Sequence, residues 1–457
     1  MRLKRFWFLP VVAVAFLALA GFAFAQDADP DMASADDAKM EDITGSFELE
    51  RCVKRALALN PSMTGIRAQL QGSKYGTKSS FGAFLPSVSG TYGWTHYDRK
   101  YSYSGHYSDW ASSVDVSQPV FHGFNILATW QKAQLTEESN EASLNNVELS
   151  LIASVQSNFL SLLKARMDVK SALDSVARLE SQLKVITAFY DVGLRPKAEV
   201  LDAEVDLATA RQGLLTAQNN VSIQETQLNT LLNIPVETQV DYVGELKDIP
   251  FDLDLKDCLS RAYAGRPDLV IGQKSVEIAK KDVTRAASSF YPQVDADWGY
   301  TNKGANPGLG RGSGDYPYTS KEYWTAGVSA SMSIFQGGQD YYDYKQYEEV
   351  VKQVEAELEN TRLNAGFEVK QALLNIKEAA DRITVARKSV EAATEAYRMA
   401  VARYQAQVGT NTDVLNAQAR LTDSEAQLSQ SLADYGTAIS TLYVAMGEKN
   451  LGLKEAK

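Results

Sequence analysis

Reactive and metal-binding side chains are scarce in this chain of 457 residues, which has two cysteines and three histidines. The histidines His96, His106 and His122 lack ligand partners at the spacings of metal sites. No glycine-rich phosphate loop, nucleophile motif or cysteine–histidine cluster is present in the sequence. We therefore expect a protein that is not an enzyme and that uses neither a metal nor a cofactor.

Long apolar runs are absent after Phe24, so no later segment approaches the 18 or so apolar residues of a membrane helix. The apolar run at 6–24 follows three basic residues and ends in a small-x-small site, which predicts a signal peptide over 1–25. An uncleaved anchor is the alternative interpretation. The acidic stretch at 26–46 is typical of a disordered leader. An exported chain of this kind could span a membrane only with β-strands.

Basic residues are fewer than acidic ones: the chain has 46 Lys and Arg against 57 Asp and Glu. The net charge is −11, and removal of the three basic residues of the signal peptide leaves −11 − 3 = −14. So acidic a protein is a poor candidate for nucleic-acid binding, and it would favour cations in any pore that it forms.

The second half of the sequence repeats the first. A shift of 206 residues places 51–61 on 257–267, and a shift of 214 places 200–203 on 414–417. The second repeat therefore has eight extra residues, which lie in its strand region. One structural unit is used twice, so the function must come from the way these units assemble.

The two cysteines, Cys52 and Cys258, occupy matching positions in the repeats. A disulfide is possible outside the cytosol. A pair of small buried side chains is the interpretation that we favour.

Two proline-free stretches rich in Ala, Leu, Gln and Glu predict long helices, because proline breaks a helix interior. Apolar residues recur in each stretch at three- and four-residue spacing, as in a coiled-coil seam. We expect long helices at about 124–192 and 339–406, each roughly 100 Å long at about 1.5 Å per residue. Return helices are predicted at about 197–232 and 412–446.

Alternation of period two follows Pro86 and Pro292 and predicts four strands, each with one apolar and one polar face. The predicted strands lie at about 87–97, 110–121, 293–302 and 323–335. A soluble two-faced sheet has the same pattern. The export signal and two tyrosine-rich hairpin loops, at 97–107 and 316–323, favour a transmembrane β-barrel with lipid outside and water inside.

The predicted fold is mainly α with a small antiparallel β part, in a duplicated helix-strand-strand-long helix-helix arrangement. The first repeat covers 47–243, the second covers 244–447, and a C-terminal tail covers 448–457.

Four strands cannot close a barrel, and an open sheet edge in lipid leaves backbone groups unpaired. Two chains would give eight strands with a filled interior, whereas three would give twelve strands and a water channel. We therefore expect a ring of identical chains.

These features resemble the TolC-type outer-membrane efflux protein family. The resemblance covers 47–446, and its most specific elements are the duplication, the Tyr-Asp-Val-Gly-Leu turn at 190–194 and the Thr-Asp-Val-Leu-Asn-Ala-Gln segment at 412–418. It implies a homotrimer whose twelve-stranded barrel, surrounded by outer-membrane lipid, continues into a periplasmic α-helical barrel. It also implies the exit duct of a tripartite efflux or type I secretion system in a Gram-negative outer membrane. An inner-membrane pump and a periplasmic adaptor protein would be its partners.

The resemblance further implies an adaptor contact at the two turns of the long hairpins. The residues implied are Val192, Gly193, Leu194, Val408, Gly409 and Thr410. The register of the second turn stays open, since counting from Tyr404 places Gln407 rather than Gly409 opposite Gly193.

A periplasmic gate just inside these turns is implied as well, made of acidic rings and a hydrogen-bond network. The residues implied are Arg195, Glu199, Asp202, Tyr404, Asp413 and Asn416. Asn416 stands where the family often has an acid, and Asp202 supplies one in the other repeat. Independently of the family, carboxylates that face one axis repel each other and need paired cations or a wider pore. A solvated helix face is the alternative for Asp202 and Asp413.

A soluble periplasmic coiled-coil adaptor or structural tether is the alternative function. Such a protein would need a β-rich module around one helical hairpin, whereas this sequence predicts two complete repeats with four amphipathic strands.

Overall fold

The computed structural model describes residues 45–100, 107–248, 250–251, 253–304 and 322–453. The predicted signal peptide and nearly all of the predicted leader lie outside these residues. Most of the two tyrosine-rich loops and the end of the C-terminal tail also lie outside them.

Each repeat contains two short helices, a β-hairpin, a long helix and a return helix. Those of repeat 1 are α1 (Leu49–Leu59), α2 (Pro61–Phe81), β1 (Ser87–His96), β2 (Ser108–His122), α3 (Asn125–Asp191) and α4 (Lys197–Leu231).

The elements of repeat 2 follow in the same order, which confirms the predicted duplication. They are α5 (Leu255–Gly265), α6 (Pro267–Ala287), β3 (Gln293–Gly304), β4 (Glu322–Ser331), α7 (Gln339–Gln405) and α8 (Asn411–Met446). Both long helices, α3 and α7, contain 67 residues. Proline occupies the first turn of α2 and of α6, where its missing N–H leaves no hydrogen bond unmade.

The four strands form one antiparallel sheet in the order β1-β2-β3-β4. Directly opposed residues share a face of a sheet, and the register places Val88, Val116, Trp298 and Ala326 in one row. The neighbouring row is polar. It consists of Ser89, Asp115, Gly299 and Thr325. The predicted alternation thus gives the sheet one apolar and one polar face.

The prediction that β4 extends to 335 is wrong for the single chain, because this strand ends at Ser331. Ser331 pairs with Gln293, the first residue of β3, so the ladder has no further partner. Beyond this point Ile334 and Phe335 are 93% and 83% exposed.

The helices form a wall four helices wide. Near the sheet the order of packing is α2-α3-α6-α7, and towards the hairpin turns it is α4-α3-α8-α7. The coiled-coil seam predicted in α7 is buried along much of its length. Its buried residues are Ala365, Val369, Ala372, Ile376, Ala379, Ile383 and Ala386, spaced alternately by four and three residues. Small alanine side chains let the neighbouring helices approach closely.

Two large apolar clusters lie in the wall, the first in repeat 1 and the second mainly in repeat 2. Phe47, Cys52 and Tyr242 belong to the first cluster, and Cys258 belongs to the second. Both cysteines are buried free thiols, which confirms the interpretation of small buried side chains. Among the described residues, no helix combines the length and apolar character needed to cross a membrane.

Candidate functional site

The first hairpin turn ends α3 with a glycine in the left-handed conformation. Gly193 has φ +76°, and its N–H donates to the carbonyl of Tyr190 at 2.8 Å. The N–H of Leu194 donates to the carbonyl of Phe189, also at 2.8 Å. This pair of hydrogen bonds is a Schellman motif, which glycine favours because it has no Cβ.

The second turn has the same geometry without a glycine. Gln407 has φ +64° and donates its N–H to Tyr404, while the N–H of Val408 donates to Arg403. Gln407 is therefore the counterpart of Gly193, and this settles the register that the sequence left open. The triplet 408–410, predicted as the match of 192–194, lies two residues beyond the matching position.

Glu199 lies at the centre of a network that joins the two hairpins. Its Oε1 atom is 3.3 Å from Nη1 of Arg195, and its Oε2 atom accepts a hydrogen bond of 3.2 Å from the Tyr404 hydroxyl. The Arg195 guanidinium also lies 5.0 Å from the centre of the Tyr404 ring. Nη2 of Arg195 donates to the carbonyl of Gly409 at 3.3 Å. One arginine, in the turn before α4, therefore contacts the first turn of α4, the facing ring and the facing turn.

Tyr404 is fully buried at this point. Burial, and second the nearby Glu199 carboxylate, raise the pKa of its hydroxyl to about 12. The hydroxyl therefore stays protonated at neutral pH and acts as a hydrogen-bond donor. A hydrogen-bond donor and a cation thus both stabilise the half-buried carboxylate of Glu199.

A small apolar cluster supports the network. Ile186, Ala203, Tyr404 and Val414 are its buried members, one from each helix of the two hairpins. Phe189 packs against the Tyr404 ring at 6.0 Å between centroids. The four helices thus converge at the tip of the wall.

Asp413 lies apart from this network. Its carboxylate accepts hydrogen bonds from the backbone N–H and hydroxyl of Thr410, at 3.0 Å and 2.8 Å. The Thr410 hydroxyl in turn accepts from the N–H of Asp413, which completes a capping box at the start of α8. The backbone hydrogen bond from Thr410 is the main cause that lowers the pKa of Asp413.

Asp202 and Asn416 are both exposed in the single chain. One helical turn after Asp202, the pKa of Asp206 is raised, first by burial and second by the charge of Asp202. The structure therefore brings together Arg195, Glu199 and Tyr404, and leaves Asp202, Asp413 and Asn416 outside their contacts.

The turns also expose apolar side chains. Val192, Leu194 and Val408 are 69%, 54% and 67% exposed. Apolar side chains gathered at the end of a long hairpin are typical of a surface that another protein covers.

Polar contacts between α3 and α8 were not anticipated from the sequence. Buried Gln182 donates to buried Asn411 at 3.1 Å, and Gln418 donates to Ser175 at 3.1 Å. Apolar periodicity does not reveal such pairs, because their members lie more than 200 residues apart in the chain. They add polar contacts to an interface between the two hairpins that is apolar elsewhere, as at Leu160.

Comparison with known proteins gives a family match over most of the chain. The family model described as "Outer membrane efflux protein" matches residues 52–233 and 258–448, which correspond to the two repeats. The outer membrane efflux protein BepC of Brucella suis biovar 1 (strain 1330) is 21% identical over 422 residues, covering 91% of this chain and 88% of that protein.

Solved structures give the same fold. A membrane protein from Pseudomonas aeruginosa superimposes with a TM-score of 0.77 at 17% identity, covering 88% of this chain and 91% of that one. The outer membrane protein VceC of Vibrio cholerae gives a TM-score of 0.74 at 17% identity, with 88% and 96% covered. The chain therefore belongs to the outer membrane efflux protein family, as an exit duct of the Gram-negative outer membrane with a large helical part in the periplasm.

Proposed function

We propose that three copies of this chain close into one tube. The sheet supplies four strands per copy, 3 × 4 = 12 in all, for a barrel in the outer membrane. Both edge strands, β1 and β4, are exposed along their whole length. An edge of this kind is costly in lipid, because its N–H and C=O groups have no water to bind. The two open edges, together with the apolar and polar faces of the sheet, carry this proposal.

The network around Glu199 is the proposed gate at the periplasmic end. It holds the second hairpin against the first, and the polar pairs Gln182–Asn411 and Ser175–Gln418 lie between α3 and α8, where the hairpins would separate. We place three further residues at the gate, namely Asp202, Asp413 and Asn416. Asp413 would act there through its cap on α8.

Docking of a periplasmic adaptor protein is proposed at the exposed turns, at 192–194 and 408–410. The adaptor would connect the duct to an inner-membrane pump, which supplies the energy and the cargo. The chain itself needs no catalytic group for this role.

The gate is tested by the conductance of purified channels in planar bilayers. Light scattering in detergent should first give the mass of three chains. Glu199→Gln removes the charge that holds Arg195, so we expect a several-fold higher conductance than in the wild type. Glu204→Gln is the control, since Glu204 is exposed on the same helix. If the wild-type protein is a monomer without conductance, the proposed duct is wrong. If it is a trimer and Glu199→Gln leaves the conductance unchanged, only the proposed gate is wrong.

The docking surface is tested by export from cells that contain the adaptor and the pump. Leu194→Ser together with Val408→Ser should abolish export while the mass and the conductance of the trimer stay unchanged. Val236→Ser is the control, because Val236 is 59% exposed and lies in the link that follows α4. Normal export by the double variant would exclude the turns as the contact.

A further inference from the structure

Aromatic side chains collect where the sheet meets the helical wall. In repeat 1, Phe81, Phe84 and Trp130 contact one another, with ring centroids 5.6, 5.9 and 6.0 Å apart. In repeat 2, Phe290 and Tyr344 occupy the positions that correspond to Phe84 and Trp130, with centroids 6.1 Å apart. Aromatic residues form such girdles at the interface between lipid and water on transmembrane barrels. We call these five residues the girdle.

Basic side chains lie next to the girdle, on its periplasmic side. Helix α2 contains Arg67, Lys74 and Lys78 and no acidic residue, although the whole chain has a net charge of −11. Along the helix axis, Lys78 and Lys74 lie about 5 and 10 Å from Phe81, at about 1.5 Å per residue. Both lysines are exposed, and Nζ of Lys78 lies 5.9 Å from the centre of the Tyr75 ring.

The handedness of the chain places both lysines on the side of the apolar face of the sheet. Tyr97 follows β1 in step with its polar residues, and its N–H donates to the carbonyl of Tyr107 at 2.7 Å. The polar residues of β1 therefore direct their N–H groups towards β2. In an L-polypeptide this puts β2 to the left of β1, seen from the apolar face with the helices below. Helix α3 likewise lies to the left of α2, and Thr77 of α2 donates to Ala133 of α3. A right-handed turn of about 100° per residue then directs both lysines towards the viewer.

Repeat 2 provides a comparison within the same chain, because glutamates neutralise its lysines near the girdle. Lys280 occupies the position that corresponds to Lys74, and it forms an ion pair with Glu355 of α7 at 3.2 Å. Lys345 follows the girdle residue of α7 directly and pairs with Glu348 at 2.7 Å. Positive charge is therefore balanced on this part of the surface.

The neighbouring surface in repeat 1 has no such acids beside the girdle. Residues 125–136 of α3 contain one lysine and no acid, and Gln134 stands at the position that corresponds to Glu348. The acids of α3 begin at Glu137, about 10 Å along the helix from Trp130 and at the level of Lys74. Lys78 thus lies between the girdle and the first acid.

We propose that this surface of repeat 1 binds an anionic phospholipid of the periplasmic leaflet. The lipid phosphate would accept hydrogen bonds from Lys78 and Lys74, since charge-assisted hydrogen bonds to phosphate are strong. The acyl chains would lie on Phe81, on Trp130 and on the apolar face of the sheet. A zwitterionic lipid fits less well, because its own ammonium group already neutralises the phosphate.

The girdle and the basic residues together indicate a lipid rather than a free phosphate ion, which would need no aromatic surface. The proposal rests on the outer-membrane duct proposed above. It adds the class of lipid that the duct selects and the side chains that select it.

Native mass spectrometry of the full chain in detergent tests the proposal. The protein is incubated with equal amounts of phosphatidylglycerol, which is anionic, and phosphatidylethanolamine, which is zwitterionic, with identical acyl chains. Each lysine near an anionic lipid favours it roughly five-fold. We therefore expect the wild type to retain phosphatidylglycerol at least about five-fold better, and this preference should weaken with added salt.

Lys74→Gln combined with Lys78→Gln should reduce the preference to about one. Lys78→Gln alone should have the larger effect of the two single variants, because Lys78 is nearer the girdle. Lys280→Gln with Lys345→Gln is the matched control, since it removes the same charge from lysines that pair with glutamates. The control should keep the wild-type preference.

The mass of three chains and the conductance in planar bilayers are measured on the same samples. A conducting trimer that retains both lipids equally would overturn this inference and leave the duct standing. An equal loss of preference in the control would show a general effect of charge and overturn the assignment to α2. Competition by glycerol phosphate, the headgroup without acyl chains, at the concentration of the lipid would overturn the assignment to a lipid. A monomer without conductance would overturn the duct and this inference with it.

Discussion

The Tyr404 hydroxyl donates a hydrogen bond to the Glu199 carboxylate across the two helical hairpins, at 3.2 Å. A hydrogen bond to a charged group contributes about 1.5–3 kcal/mol. Tyr404→Phe keeps the ring in its cluster and removes only this bond, so the two hairpins should be held together less tightly at the proposed gate. Single-channel recording should show a higher mean conductance. Tyr397→Phe is the matched control on the same helix, and an equal response of the two variants would contradict the role of Glu199.

The two turns allow a reciprocal exchange of residues. Gln407 adopts a left-handed conformation that costs a non-glycine residue about 1–2 kcal/mol. Gln407→Gly should therefore stabilise the second turn, and Gly193→Gln should destabilise the first by a similar amount. Hydrogen exchange at the amides of Leu194 and Val408, whose bonds close the turns, measures both effects. Opposite or absent changes would show that the backbone conformation differs from the one described.

The cap on α8 should depend on pH. Hydrogen bonds from Thr410 lower the pKa of Asp413 in the folded chain. Its stabilising contribution is therefore complete above the ordinary carboxyl pKa and is lost as the pH falls through the lowered value. The difference in melting temperature between the wild type and Asp413→Asn should be constant near neutral pH and disappear in acid.

Asp423→Asn, at an exposed position of the same helix, is the control for that experiment. Thr410→Ala should also destabilise the start of α8, by about 1 kcal/mol. A pH-independent difference for Asp413→Asn would exclude the carboxylate as the cap.

Two glycines within helices should respond in opposite directions to alanine. An added Cβ at Gly436 would be 2.8 Å from Cδ1 of Leu160, so Gly436→Ala should cost about 1–3 kcal/mol by overpacking the contact between α3 and α8. Gly213 has no described atom within 4 Å of an added Cβ. Gly213→Ala should therefore stabilise α4 by up to about 1 kcal/mol, through helix propensity alone. Thermal unfolding in detergent distinguishes the two, and a loss of stability at both sites would contradict the packing at Leu160.

Much of the fold was predictable because its elements are regular and long. Proline-free stretches with apolar residues at three- and four-residue spacing predict α3 and α7 to within one or two residues at each end. Alternation of period two likewise predicts the four strands. The exception is the end of β4, where the sequence pattern continues to 335 but the partner strand does not.

The candidate site was predictable only in part. The family resemblance implied a gate that contains Arg195, Glu199 and Tyr404, and the structure shows these three side chains in contact. The resemblance also implied a gate role for Asp413, whose contacts in the structure are those of a helix cap. The roles of Asp202 and Asn416 stay predictions, since both are exposed in one chain.

The sequence by itself determined the duplication, the helices and strands, and the two faces of the sheet, because each follows from periodicity and from proline and glycine positions. Only the tertiary structure decided that Gln407 matches Gly193, and that Glu199 joins the hairpins. Contacts between residues about 200 positions apart, such as Glu199 and Tyr404, depend on how the helices pack, and no local pattern encodes that distance.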